Sequence, residues 1–490
     1  MKVLFLPQKV LLMKRIIFII LAILLAFPSF PHPWKPSHYV IVDTDGGVDD
    51  MKTLCMLLAS HDVRVLAVTI SPGVLNTGTA YIKVKSILNS FFHEGIPVGI
   101  NRNAGFTSPQ MALPMNYRWG DETGIDPEAA PGSLELIGEM LKAEKTKIKF
   151  INLGSLSTTH EAFNSLPVFR EQVKEIIWSS DEPRDASGFN YKAGRESATR
   201  ILDQDEIPVS VIKGFNGDGR VFYNDEFLES IKNANTVYAD KISGFLSSNM
   251  AKDHKFSSGA VDEMIAIYLH YPDLFTSSVS GKTTTFTPSS SEKLRENVIT
   301  ILKGETVAEN QVMREMPDDP SFYADDIAPY VKEIMEKHGH DEWNSGVIAN
   351  EMHRHLGVFA IIGVKMGIRA REYFNTGVDE FHAVSFAGSM PPMSCMNDGL
   401  QVSTGATPGH GLLTISDNPV KNAAAEFTYL NHKIRVSLRP EIEDKISSEL
   451  KEINFVYGLD SNIYWELVRQ NSIKYWLNLD RHEIFLIEEL

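Results

Sequence analysis

Cysteine is scarce in this chain of 490 residues: only Cys55 and Cys395 occur, and two such distant thiols exclude a disulfide framework. Basic residues are also in deficit. Lys and Arg number 47 against 63 Asp and Glu, a formal net charge of −16. That balance argues against nucleic acid as a partner, because phosphate backbones require a basic face. The one long apolar run, Ile16 to Ala26, is shorter than the roughly 20 residues a membrane span needs. It follows the basic pair Lys14-Arg15, so residues 1–36 read as a secretory signal, with an uncleaved membrane anchor as the alternative. The body of the protein is therefore expected outside the cytoplasm, periplasmic or extracellular. The remaining composition, 43% hydrophobic and 22% charged, is that of a globular chain. Its length calls for at least two domains.

Acid, by contrast, is concentrated. Tyr39-Val40-Ile41-Val42 runs into Asp43-Thr44-Asp45-Gly46-Gly47-Val48-Asp49-Asp50. Met51, Leu54, Cys55 and Leu58 then recur at helical spacing. The reading is a buried parallel strand, a tight glycine turn and a helix, with Cys55 on the helix's core face. Ligands bind past the carboxyl ends of such strands. Four carboxylates there raise each other's pKa unless a counter-charge is present. A hard divalent cation with oxygen ligands, Ca²⁺ or Mg²⁺, resolves the conflict. The plainer alternative is a solvated acidic loop capping the helix.

Further apolar segments at 63–70, 96–100, 147–153, 173–178 and 207–212 read as strands. A helical stripe of Tyr81, Val84, Leu88 and Phe91 falls between two of them. Alternation of this kind implies βαβ units and an α/β fold with a mostly parallel, Rossmann-like sheet. Residues 283–292 read as a loop or exposed insertion.

The acidic stretch resembles the opening motif, Asp-x-Asp-x-Gly-x-Asp-Asp, of the calcium-dependent, inosine–uridine preferring nucleoside hydrolases. Later segments fit the same pattern: Gly154-Ser155-Leu156 after the fourth strand, Phe189-Asn190, Glu196-Ser197-Ala198, and Gly259-Ala260-Val261-Asp262-Glu263 followed by Tyr271-Pro272-Asp273. The resemblance spans about residues 38–339 and implies cleavage of an N-glycosidic bond in a ribonucleoside or related ribosyl compound. It also implies roles. Asp45, Asp50, the Leu153 carbonyl and Asp262 would hold Ca²⁺. Asp49 would take the proton of the attacking water, Asp43 would orient the ligands from behind, and Asn190 would bind a sugar hydroxyl. Asn76, close to the position of a family asparagine, is a second substrate-binding candidate. The chain departs from the family pattern at Val261, where a histidine is usual, and at Val74, Gly188 and Ser157-Thr158. The metal and water half of the site is thus expected intact and substrate recognition altered. A non-catalytic calcium-dependent ribosyl-binding protein is one alternative. A haloacid dehalogenase-type phosphohydrolase, with Asp43 as nucleophile, is the other. The resemblance also leads us to expect a homo-oligomer.

After Lys337-His338-Gly339-His340, with both histidines expected at the surface, the character of the chain changes. His353-Arg354-His355 precedes the apolar run Val358 to Ile368, and Cys395-Met396-Asn397-Asp398-Gly399-Leu400-Gln401 follows. Together with Gly409-His410-Gly411 these resemble the E-protein family of formylmethanofuran dehydrogenase, a small α+β module. His353, His355, Cys395 and Asp398 would form a second metal site with softer ligands, suited to Zn²⁺ or another transition metal; buried, hydrogen-bonded side chains at a helix start are the alternative. Helices are expected at 442–453 and 463–476, with Trp465, Val468 and Tyr475 packing. The domain assignment is 1–36, 37–340 and 341–490.

Overall fold

The computed structural model describes residues 36–490 except 182–183, 185–187, 216–221, 253–258, 307–311 and 314–315. The expected signal or anchor therefore lies outside the described residues. From Pro36 onward the chain forms one compact unit. It contains two sheets. The larger comprises β1 (His38–Thr44), β2 (Val63–Ile70), β3 (Val98–Ile100), β4 (Ile148–Asn152), β5 (Val173–Ser179), β6 (Val209–Ile212), β7 (Phe275–Ser280) and β8 (Thr283–Pro288). The smaller comprises β9 (His382–Ser385), β10 (Leu413–Ile415), β11 (Ala424–Tyr429), β12 (His432–Leu438) and β13 (Phe485–Glu489).

The large sheet runs in the order β3-β2-β1-β4-β5-β6-β8-β7. It is parallel throughout except for β7, which pairs antiparallel with β8. Val40, Ile41 and Val42 are wholly buried, as befits a central strand covered on both faces. The strand order reverses between β1 and β4. Open parallel sheets bind ligands at such a point, beyond the strand carboxyl ends. Register carries the acidic turn there: Asp43 stands opposite Asn152, and Leu153 N–H donates to the Asp43 carbonyl at 2.9 Å.

The segment read as a loop at 283–292 is instead β8 and the start of a helix. Its Thr-Thr-Thr-Phe-Thr run is β-branched and aromatic, which suits a pleated edge better than a coil. It escaped notice because its side chains are polar, where the other strands are apolar.

Helix α1 (Val48–Ala59) follows the acidic turn, and its Met51, Leu54, Cys55 and Leu58 are all buried. Asp49 and Asp50 lie in its first turn, where the helix dipole favours negative charge. Helix α2 (Thr77–Ser90) carries the second apolar stripe, and α3 (Glu263–His270) is buried along nearly its whole length.

The C-terminal helices are α4 (Val331–His338), α5 (His340–His353), α6 (Val358–Phe374), α7 (Met396–Thr404), α8 (Pro440–Tyr457) and α9 (Asn462–Asn478), of which α6 to α9 share a core with the smaller sheet. Ile334 of α4 shares a core with Trp343, Ile361 and Trp476, so this helix packs with the elements that follow it. His338 is buried and bonds the Leu477 carbonyl at 3.2 Å, contrary to its expected place on the surface. Val468 and Tyr475 are buried as expected, but Trp465 is half exposed. The two sheets' surroundings meet through buried polar contacts. Arg64 on β2 grips Glu380, with Nε to Oε2 at 2.9 Å, and reaches the Asn375 carbonyl at 2.7 Å. Among the described residues no helix is long and apolar enough to cross a membrane.

Candidate functional site

Two segments distant in sequence supply acid to one place. Asp49 and Asp50 come from the start of α1, and Asp262 immediately precedes α3. One carboxylate oxygen from each lies within 4.8 Å of the others. Asp45 joins them from the turn after β1. Asp45, Asp50 and Asp262 are each no more than 3% exposed.

The turn is held by its own backbone. Thr44 Oγ1 donates to Asp50 Oδ1 at 2.5 Å and accepts from Gly46 N–H at 3.1 Å. Asp45 N–H also donates to Asp50 Oδ1, at 3.1 Å, and Gly47 N–H donates to Asp45 Oδ1 at 3.3 Å. Gly46 takes φ of +81°, a conformation open to glycine. Asp45 Oδ2 remains buried without a hydrogen-bond partner. Its carboxylate lies against two other glycines: a Cβ on Gly73 would stand 1.9 Å from Asp45 Oδ2, and one on Gly154 would stand 3.1 Å away. The turns after β2 and β4 therefore close around Asp45.

Electrostatics show what this assembly lacks. Burial raises the Asp45 carboxyl well above the usual range, and the charge of Asp50 raises it further. Burial likewise lifts Asp262, with Asp49 and Asp50 adding to the rise. Asp49 is pushed up to about 7, first by burial and then by Asp50 and Glu263. One carboxylate oxygen of Asp50 lies within 4.8 Å of one of Asp262. An all-oxygen cluster with an unpartnered buried carboxylate oxygen fits a hard divalent cation, whose charge would offset the crowded carboxylates.

Asp43 is wholly buried behind this cluster. It accepts from Thr69 Oγ1 at 2.6 Å, and burial raises its carboxyl to about 7. It thus supports the turn from behind, in line with the expected orienting role. The Leu153 carbonyl, expected to be a ligand, accepts from Asn190 Nδ2 at 2.7 Å. Asn190 Nδ2 also donates to the Ser179 carbonyl at 3.1 Å, so this amide ties the ends of β4 and β5 together at the site. Asn76 is used differently from expectation: its Oδ1 accepts from Thr79 N–H at 2.8 Å and caps α2. An exposed helix start gives that role a sufficient explanation without substrate.

Sequence reading missed a buried network next to Asp49. Lys52 Nζ pairs with Glu263, both no more than 1% exposed, and lies 4.5 Å from the ring centroid of Tyr223. Tyr223 OH donates to Glu263 Oε1 at 2.8 Å, and Val261 N–H to Glu263 Oε2 at 2.9 Å. The signal was present: Lys52 interrupts the apolar face of α1, and Glu263 is adjacent to Asp262. The network fixes the loop that presents Asp262.

The family model described as inosine-uridine preferring nucleoside hydrolase matches residues 40–323, the larger part of the chain. The chain belongs to this family. As a nucleoside hydrolase it is an N-glycosyl hydrolase. Pyrimidine-specific ribonucleoside hydrolase RihA of Salmonella paratyphi A is 24% identical over 262 residues, covering 48% of this chain and 81% of the relative. The protein of the same name from Escherichia coli O9:H4 is also 24% identical over 262 residues, with the same coverage. The solved inosine-uridine preferring nucleoside hydrolase of Bacillus anthracis superposes with a TM-score of 0.44 at 16% identity, over 55% of this chain and 99% of that one.

A second model, FmdE of the molybdenum formylmethanofuran dehydrogenase operon, matches residues 352–483. In that region His353, at the end of α5, bonds Asp398 Oδ2 through Nδ1 at 2.7 Å. His355 lies tilted beside it, ring centroids 4.2 Å apart, and meets Trp465 edge to face at 5.2 Å. The four predicted ligands gather in one region, but no three of them reach the mutual spacing of the acidic cluster. Nδ1 of His353 is committed to Asp398, and burial, with Asp398 adding, pushes the Cys395 thiol up to about 11. His353 Nε2 stays buried and unpartnered. Beside it, His355, Leu356, Trp465, Glu466 and Arg469 line a cavity of about 360 Å³.

Proposed function

We propose that this nucleoside hydrolase uses Ca²⁺, held by Asp45, Asp50, Asp262 and the Leu153 carbonyl, to cleave the N-glycosidic bond of a ribonucleoside or related ribosyl compound. The observation that carries the reading is the convergence of Asp49, Asp50 and Asp262 beside the unpartnered Asp45 Oδ2. When bound, the cation supplies charge and a fixed seat for water and sugar hydroxyls.

The chain's own groups account for the rest. Asp49 is the least buried of the cluster and accepts the water's proton. As the glycosidic bond lengthens, the ribose takes on oxocarbenium character and the surrounding carboxylates stabilise it. Asp43 and Thr44 hold the turn rigid, and Asn190 holds the β4 and β5 ends at the sugar's position. Val261 brings no proton to the departing base.

The C-terminal module is proposed to bind Zn²⁺ or a similar metal at His353, His355, Cys395 and Asp398, with the cavity beside His355 as its ligand pocket. Binding would require His353 to release Asp398 and Cys395 to lose its proton. Export to the periplasm or beyond is proposed on the basic pair and apolar run at 14–26. The deciding experiment measures ribose release from a panel of purine and pyrimidine nucleosides by wild type and Asp49→Ala. Ribose from wild type alone supports the proposal. A nucleoside that binds but is never cleaved would make the protein a binding module.

A further inference from the structure

The opposite pole of the large sheet carries a second convergent group. His38 opens β1, Asp62 lies in the turn between α1 and β2, and His270 closes α3. One ligand atom from each lies within 4.8 Å of the others. β1 separates His38 from the acidic turn by roughly 20 Å, at about 3.3 Å per residue. This group is thus independent of the nucleoside site.

Asp62 and His270 each have one polar atom fixed from outside and another turned inward. His38 Nδ1 is buried without a hydrogen-bond partner. His270 Nε2 bonds Ser60 Oγ at 3.0 Å, leaving Nδ1 facing Asp62 Oδ2 at 4.0 Å. Asp62 Oδ1 accepts from Ser37 N–H at 2.7 Å, leaving Oδ2 for the interior. Outer partners that fix the tautomer and orientation of inner ligands are the usual surroundings of a metal ion.

The 4.0 Å gap between His270 Nδ1 and Asp62 Oδ2 is too long for a hydrogen bond. It is close to the separation of two ligands on one ion, about 3.4 Å for tetrahedral bonds of 2.0–2.1 Å. The two imidazoles stand edge to face, centroids 5.5 Å apart, so their nitrogens can point at a common centre. Lys149 and Lys174 bring positive charge near His38, and Lys149 also near His270. The positive field of Lys149 opposes a cation, but that side chain is paired with Glu175 at 3.3 Å.

We propose that His38, Asp62 and His270 form a structural site for a borderline divalent cation, Zn²⁺ foremost, that clips the start of β1, the turn before β2 and the end of α3 together. Two imidazoles with one carboxylate select such an ion over Ca²⁺. Three protein ligands leave the fourth position to water. The role is structural because substrates of such sheets bind at the other edge.

The test uses the full chain, stripped of metal and saturated with Ca²⁺, and titrates Zn²⁺ calorimetrically. Wild type should bind one equivalent that is retained by His353→Gln. In His38→Gln and His270→Gln that equivalent should weaken by at least about 100-fold, since even outer-partner changes cost 10–100-fold. Zn²⁺ binding equally tight in all four proteins, or lost only in His353→Gln, would overturn the proposal. If a variant does not fold, diethylpyrocarbonate labelling of wild type read by mass spectrometry decides. Zn²⁺ should shield His38 and His270 from modification, and equal labelling with and without Zn²⁺ refutes the site.

Discussion

A methyl group on Gly73 would have to share space with Asp45 Oδ2, and the same holds less severely for Gly154. At the scale of single residues, the cation's oxygen cage depends on side chains that are missing as much as on those present. Gly73→Ala should leave the protein folded, by circular dichroism, yet weaken Ca²⁺ binding by about 10–100-fold in calorimetry, the size expected for a displaced ligand. Asp49→Asn should behave oppositely. Its cation affinity should stay near wild type while turnover falls by about 10²–10⁴, the usual worth of a positioned base. The four acids of the first turn were legible in the sequence because they lie within eight positions of one another. Gly73 and the Lys52–Glu263–Tyr223 network were not, because their contacts join segments that only the fold brings together. The capping role of Asn76 was not singled out, because an asparagine before a helix serves capping and binding equally well in sequence.

Among the elements, the six apolar strands and the helices carrying clear stripes were all visible beforehand, since burial on both faces leaves an unbroken apolar signature. β8 was not, because its threonines look like loop. Helix α2 starts at Asn76, and Asn76→Ala should cost about 1 kcal/mol in urea unfolding without altering KM, if capping is its whole contribution. The pairing of α1 with α3 adds a buried ion pair, Lys52 with Glu263, to a shared apolar core. Lys52→Met would take the cationic partner away from the buried Glu263, a loss of about 3–5 kcal/mol by the same measurement. The double change Lys52→Met with Glu263→Gln should recover part of that loss, because it removes the stranded charge.

For the whole molecule, the hydrolase sheet and the C-terminal sheet are joined by charged contacts that no local pattern announces. Arg64 meets Glu380, and Arg369 meets Glu94 at 2.8 Å. Glu372 gathers Arg481 at 2.6 Å and His482 at 3.0 Å, and its backbone carbonyl accepts from His93 at 2.6 Å. Burial alone would raise the Glu372 carboxyl, but His482 and Arg481 outweigh it and bring it down to about 2 from 4.5. A depressed carboxyl adds stability that is complete above its unfolded value and fades as pH falls through the folded one. Thermal stability should therefore decline between pH 4.5 and about 2, and Glu372→Gln should flatten that decline. Partners separated by a hundred or more residues explain why this seam could not be read from the chain.

Hydrolytic release of ribose, followed before and after calcium is withdrawn with a selective chelator, tests the central claim most directly. The account predicts that turnover of the accepted nucleoside disappears on chelation, returns when Ca²⁺ is restored, and does not return in Asp262→Asn. Undiminished turnover in the chelator, or an Asp262→Asn enzyme as fast as wild type, would contradict it.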